Sequence, residues 1–326
     1  MSRLRVGILG AGNIANSMAQ AVTGLKEEAC CYAIASRSSE KSEKFAKKWG
    51  FEKAYGSYEE LLSDPDVDLV YVATPHNSHY QWAKACIEHG KPALVEKPFT
   101  VNEAQAKEIF DLAKEKNVFI TEATWTRFLP GRFLIKELME SGCIGEITSQ
   151  ESYFTTNASH VQRMYDPELA GGALLDLGIY NLTFASMYFG DDVVKVESTC
   201  EKYETGVDAT DEITYTYVDG KTAYMRTSFV EEFRHYGVIR GTKGRIHVEG
   251  LTNPSAVRVL DLNGNPVKEV PIPPQINGYE YEVLSCKKAL EEGKTECPEL
   301  PHETTLLMMR RMDELRRAWG VTYPFE

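Results

Sequence analysis

The stretch LRVGILGAGNIANSM, residues 4–18, constrains the fold more than any other part of the chain. A short apolar run reads as a buried strand, breaks at glycines, and restarts with the 3.6-residue period of a helix. The alternation then repeats, with apolar runs CCYAIAS, DLVYVAT, PALVE and VFITEA separated by helical stretches such as HYQWAKACIEHG and EAQAKEIFDLAKEKN. Alternation of this kind predicts a parallel sheet with helices on both faces. The expected fold class is therefore α/β, with this first domain spanning residues 1–123.

The glycine break is GAGNIA, a GxGxxA pattern. Gly10 makes the tight turn, Gly12 lets the backbone approach a pyrophosphate, and small Ala15 allows close helix packing, with Asn13 and Ile14 completing the turn. The helix N-terminus adds amides and positive dipole for phosphates. In this strand–turn–helix setting the pattern predicts a Rossmann dinucleotide-binding domain for a nicotinamide cofactor. The second strand ends in ASRSSEK, placing Ser36, Arg37 and Ser38 where an acidic residue would hold a ribose 2′-hydroxyl. Hydroxyls and a guanidinium suit a 2′-phosphate, which favours NADP and leaves NAD possible.

After FITEATWTRF the alternation stops. Long alternating runs follow, joined by the turn sequences VDGK, GTKG and NGN, and two helices close the chain. Residues 124–326 thus read as an α+β domain with a large open, mainly antiparallel sheet. One sheet face is expected to carry the helices and the other to expose TYTY, AYMRTSF and similar positions, which predicts a homodimer formed sheet on sheet. The basic run MRRMDELRRAW reads as a solvated helix face.

A net charge of −12 without a dense Lys/Arg block argues against nucleic acid as a partner, and nothing in the chain reads as a membrane span. The seven scattered cysteines, none in a CxxC, and the absence of a leader-like opening fit a cytoplasmic protein. His76 and His79 lack a third ligand at sensible spacing, so no metal is expected.

Two clusters carry chemistry. In LVEKPFT an apolar strand ends on Glu96 and Lys97, and a buried lysine requires a partner. In GGALLDLGIY, Asp176 and Tyr180 stand four apart in an otherwise apolar stretch, which stacks them on one face of an α-helix. By residue type alone this pair is either structural or catalytic.

Taken in order, GAGNIA, ATPHNSHYQWAKACIEHGKPALVEKP, GGALLDLGIY and GTKG resemble the glucose-fructose oxidoreductase / inositol dehydrogenase family nearly end to end. ASRS, EATWTRFLP and ETGVD are similar to its dimeric trans-dihydrodiol dehydrogenase / D-xylose 1-dehydrogenase branch. The resemblance implies that Lys97, Asp176 and Tyr180 are catalytic, that Thr74, Pro75, His76, His79, Glu96 and Lys97 lie at the cofactor, and that Lys97-Pro98 is cis. It also implies that Trp125 and Phe154 wall the substrate pocket. Arg127 serves the cofactor or an ion pair, and His160 lies in a loop at the pocket mouth. Tyr180 stands where inositol dehydrogenases have His, which points away from inositol. The implied enzyme is an NAD(P)-dependent dehydrogenase acting on a CH–OH group of a small sugar, cyclic polyol or trans-dihydrodiol. A non-catalytic cofactor sensor of the same fold is the alternative.

Overall fold

Apolar strands alternating with helices build the first half. The computed structural model describes residues 3–326. Strands β1 (Leu4–Leu9), β2 (Ala29–Ala35), β3 (Lys53–Tyr55), β4 (Leu69–Val72), β5 (Ala93–Glu96) and β6 (Ile120–Ala123) alternate with helices α1 (Asn13–Gly24), α2 (Ser39–Trp49), α3 (Tyr58–Leu62), α4 (His79–Glu88) and α5 (Glu103–Lys116). All pair in parallel, in the order β3-β2-β1-β4-β5-β6. The short edge strand β3 lies in FEKAYGS, whose polar residues carry no strand signal. Ser38 caps α2, Ser57 and Glu60 form a capping box on α3, and Asn102 caps α5, so each of these three helices starts where an oxygen satisfies its first amides.

The remaining elements are α6 (Gly131–Glu140), β7 (Ile147–Asn157), α7 (Gln162–Tyr165), α8 (Ile179–Phe189), β8 (Val193–Lys202), β9 (Asp208–Tyr217), β10 (Thr222–Ser228), β11 (Val230–Gly241), β12 (Gly244–Glu249), β13 (Ala256–Asp261), β14 (Pro266–Val270), α9 (Glu280–Glu291) and α10 (His302–Trp319). Strands β7 to β14 form one eight-stranded sheet in the order β14-β13-β12-β11-β7-β10-β9-β8. Seven consecutive strands would make a plain meander; instead β7 inserts between β10 and β11 and runs parallel to β10. Period-two patterning sets which face a side chain takes but not which strand lies alongside.

The chain groups into two units, Met1–Phe128 with Gln275–Arg310, and Leu129–Pro274 with Arg311–Glu326. A single cut near Ala123 does not anticipate that return, which brings α9 and the start of α10 to the first unit. There Val283, Cys286 and Ala289 of α9 share one buried core with Leu4, Ile8, Met18, Ile34 and Tyr71.

In the second unit α8 packs on β7 and β10, and Phe184 lies so close to β11 that a Cβ on Gly237 would meet its ring at 2.5 Å. The register corrects the expected faces. Tyr215 and Tyr217 are buried on the helix side, under Arg311 and Phe189. The opposite face carries Tyr224, Tyr153, Tyr236 and His247 in a row of ring contacts 4.9–5.9 Å apart. Arg226 bonds Glu212 and Glu231 on that face, and Arg240 pairs with Glu151 at 2.5 Å. The basic end of α10 is also less solvated than expected: Arg311 is buried against Asp191, and Arg316 against Asp313 and Glu326.

Candidate active site

In parallel α/β sheets ligands sit beyond the carboxyl ends of the strands. The first unit places its candidates there. Gly10 adopts φ 101°, and a Cβ on it would stand 2.5 Å from the Ala73 carbonyl, so only glycine makes this turn. Gly12 has nothing within 4 Å of a Cβ. Helix α1 begins after it with no side-chain cap, and two residues past the end of β4 stands Thr74, whose Oγ1 is buried without a hydrogen-bond partner. Open glycine, uncapped amides and an orphaned hydroxyl fit a dinucleotide's phosphates. Asn13 is exposed, Ile14 is half-buried, and Ala15 is buried against the sheet.

After β2, Ser36 is buried and turned inward, donating to Ser38 O at 2.8 Å and meeting Ser42 Oγ at 2.9 Å. It shapes the turn, while Arg37 and Ser38 are exposed at its tip. After β4, Pro75 is exposed and His76 half-buried. His79 is fully buried, its ring nitrogens 2.8 Å from Thr74 O and 2.7 Å from Pro98 O. Burial pushes its pKa below the usual imidazole range, against the pull of those two carbonyls. It ties the Thr74 loop to the Lys97 loop.

Lys97 follows β5, half-buried, and Lys97-Pro98 is cis. Glu96, before it, is buried. Its carboxyl accepts from Tyr71 Oη and, at 3.1 Å, from Lys97 N–H. Burial pushes it up to about 7, opposed by the Tyr71 bond and the Lys97 charge. Glu96 therefore braces the backbone that carries the lysine. Past β6, Trp125 stacks on Tyr279 with centroids 4.3 Å apart. Arg127 is buried near Glu122; burial raises the Glu122 pKa above the usual carboxylate range, opposed by the bonds it accepts from Thr305 Oγ1 and Phe99 N–H and by the Arg127 charge.

In the second unit, Leu174–Gly178 is a π-helical turn that runs directly into α8. The α-helical stacking expected of Asp176 and Tyr180 is corrected accordingly, because a π turn advances each residue by a smaller angle. Such turns collect at functional sites. Asp176 and Tyr180 are both buried, at 6% and 8% exposure. Phe154 of β7 lies 5.9 Å from the Tyr180 ring and 4.4 Å from that of His235. Burial lowers His235 to about 4, which leaves it neutral at pH 7. Asp176 Oδ2 accepts from Arg163 Nη1 at 2.5 Å. Neither His235 nor Arg163 stands out in sequence, since β11 pairing and the fold of the α7 segment bring them in. His160 is exposed in the same segment as Arg163.

A parallel sheet in this strand order, opening on a glycine-rich turn fit for phosphates, defines a dinucleotide-binding protein of the Rossmann class. The oxidoreductase family with NAD-binding Rossmann fold, GFO/IDH/MocA, matches residues 4–124, and its C-terminal domain matches residues 134–247. The chain belongs to this GFO/IDH/MocA oxidoreductase family. It is 36% identical to trans-1,2-dihydrobenzene-1,2-diol dehydrogenase of Mus musculus over 98% of each chain. It is 34% identical to D-xylose 1-dehydrogenase (NADP(+)) of Hypocrea jecorina, over 98% of this chain and 93% of that one. Among solved structures, a 3-ketoreductase from Actinomadura kijaniata in complex with NADP superposes with TM-score 0.86 at 25% identity, covering 97% of each chain. That enzyme is also solved with one tyrosine replaced by phenylalanine and with one lysine replaced by alanine. Levoglucosan dehydrogenase, at 20% identity and TM-score 0.85, shares the fold.

Proposed function

We propose that this chain is an NADP-dependent dehydrogenase that oxidises a secondary or anomeric hydroxyl of a sugar, cyclic polyol or trans-dihydrodiol, and reduces the corresponding carbonyl. The observation that carries the reading is a buried Asp176 on a π turn and a buried Tyr180 at the start of α8, with the Phe154 ring beside the tyrosine. The whole-length relatives named above supply the dihydrodiol and sugar classes, and the family resemblance the cyclic polyol.

Residues Gly10 to Ala15, Arg37, Ser38, Thr74, Pro75 and His76 hold the cofactor, with Ser36 and His79 shaping the loops that do so. When bound, NADP supplies the hydride acceptor. The protein's part is proton transfer and orientation. Tyr180 takes the substrate's hydroxyl proton on its phenolic oxygen during oxidation and returns it during reduction. A free tyrosine titrates near 10 and is a poor base at neutral pH. The Lys97 ammonium favours the phenolate and polarises the substrate oxygen, and Asp176 orients the hydroxyl. Trp125 and Phe154 give the substrate its apolar walls. Arg37 and Ser38, with no carboxylate at the tip of the β2 turn, favour the 2′-phosphate of NADP.

The same reading includes a homodimer through the aromatic and ion-paired face of the eight-stranded sheet, and a cytoplasmic location, which suits seven cysteines that are all free thiols. Among the described residues no helix is long and apolar enough to cross a membrane.

The test is direct. Lys97→Met and Tyr180→Phe are expected to lower turnover by about 10²–10⁴-fold, the range of a removed acid/base group, while NADP affinity, measured by fluorescence titration, stays within a few fold. Unchanged turnover in both variants contradicts the assignment.

A further inference from the structure

Arg163 stands on the single-turn helix α7, in a segment whose backbone is fixed from several sides. Gly172 N–H bonds Met164 O at 2.8 Å and Gly171 N–H bonds Asp166 O at 3.0 Å. Thr205 Oγ1 bonds Tyr165 O at 2.5 Å, and Tyr323 Oη bonds Gly171 O at 2.8 Å. The approach is so close that a Cβ on Gly171 would stand 2.9–3.0 Å from the carbonyl oxygens of Arg163, Met164 and Asp166. Gly172 adopts φ 127°, and a Cβ there would meet Asp208 Oδ1 at 2.3 Å. Asp208 Oδ2 in turn accepts from Leu174 N–H at 2.6 Å, at the first residue of the π turn. The glycine pair thus lets the segment close against the start of the turn, and the contact this delivers is Arg163 Nη1 on Asp176.

The two partners differ in exposure. The Asp176 side chain is 8% exposed and the Arg163 side chain 54%. A guanidinium carries five N–H donors in a rigid fork, and one bond uses one of them. Among the described residues the other donors of Arg163 have no hydrogen-bond partner. The fork is fixed at its carboxylate end and open at the other. Because its charge is balanced by Asp176, the pair as a whole is nearly neutral, which suits a neutral hydroxyl better than an anion.

We propose that Arg163 is a specificity residue that holds the substrate oxygen on the carbon next to the reacting carbinol, so that the enzyme selects vicinal diols over simple alcohols. This rests on the dehydrogenase reading above. Asp176 then orients the reacting hydroxyl, and Arg163 the neighbouring one.

The experiment compares kcat/KM for trans-cyclohexane-1,2-diol against cyclohexanol, and for D-xylose against 2-deoxy-D-xylose, with NADP, in wild type, Arg163→Met and Arg163→Lys. The expected result is a diol preference that falls about tenfold or more in Arg163→Met, the loss expected for one hydrogen bond from a charged donor, carried mostly by KM of the diol. Arg163→Lys, which keeps the charge and loses the fork, is expected to fall between, and the KM of NADP is expected to stay within twofold in both. Thermal unfolding checks that the variants are folded, and Arg163→Lys carries the test if Arg163→Met is not. A folded variant that loses rate equally on both members of a pair, or loses none, overturns the proposal and leaves the dehydrogenase reading intact. A wild type that oxidises none of the four compounds overturns the dehydrogenase reading itself, and the proposal with it.

Discussion

At the scale of single residues, the two glycines of GAGNIA have separable jobs. A Cβ on Gly10 meets Ala73 O at 2.5 Å in a left-handed conformation, whereas a Cβ on Gly12 meets nothing within 4 Å. Gly10→Ala is therefore expected to destabilise the fold by about 1–3 kcal/mol. Gly12→Ala is expected to leave the melting temperature nearly unchanged while weakening NADP binding at least tenfold, because only the bound pyrophosphate needs that space. Calorimetry of both variants, each with and without NADP, checks the pair. These roles were legible in sequence because a turn next to a strand is a local matter. Glu96 was legible only as a charge at a strand end. Its engagement by Tyr71 depends on register across β4 and β5, which neighbouring residues do not encode.

At the scale of elements, α9 inserts a carboxyl where no partner waits. Glu282 is fully buried and both its oxygens lack hydrogen bonds. Burial, with the Glu96 charge adding to it, pushes its pKa well above the ordinary carboxylate range. The folded state therefore keeps a proton that the unfolded chain gives up above about pH 4.3. Folded binds more protons than unfolded, so this group's contribution falls as pH rises above that value. Glu282→Gln is expected to gain about 1–3 kcal/mol relative to wild type between pH 5 and pH 8, read from urea unfolding at each pH. A difference that does not change with pH contradicts this. The close approach of α8 to β11 gives a second expectation. Gly237→Ala overpacks the Phe184 ring at a cost of about 1–3 kcal/mol, and Phe184→Leu in the same chain is expected to restore part of it. Helices and strands of the first half, apart from the short edge strand β3, were legible from periodicity and caps. The π turn was not, because an apolar run with Asp176 and Tyr180 four apart reads the same whether it is wound as α or π.

At the scale of the whole molecule, the sequence indicates two domains but not the return of Gln275–Arg310 to the first unit, nor the insertion of β7 between β10 and β11. Both depend on long-range pairing. The sheet face away from α8 was expected to be aromatic and β-branched. It is aromatic, carrying Tyr224, Tyr153, Tyr236 and His247, but these stand among ion pairs, so association through it is expected to be salt-sensitive. Sedimentation of wild type at micromolar concentration is expected to show a dimer, and Tyr153→Glu a monomer that still binds NADP; a monomeric wild type contradicts that arrangement. The central claim is hydride transfer at a carbinol carbon by a protein whose own residues move the proton. The most direct measurement incubates NADP with D-xylose and with trans-cyclohexane-1,2-diol deuterated at the carbinol carbons, and follows the nicotinamide by mass spectrometry and NMR. The account predicts one deuterium at the nicotinamide ring with wild type and a rate lower by orders of magnitude with Tyr180→Phe. A folded, NADP-binding wild type that transfers no label from either substrate would contradict it.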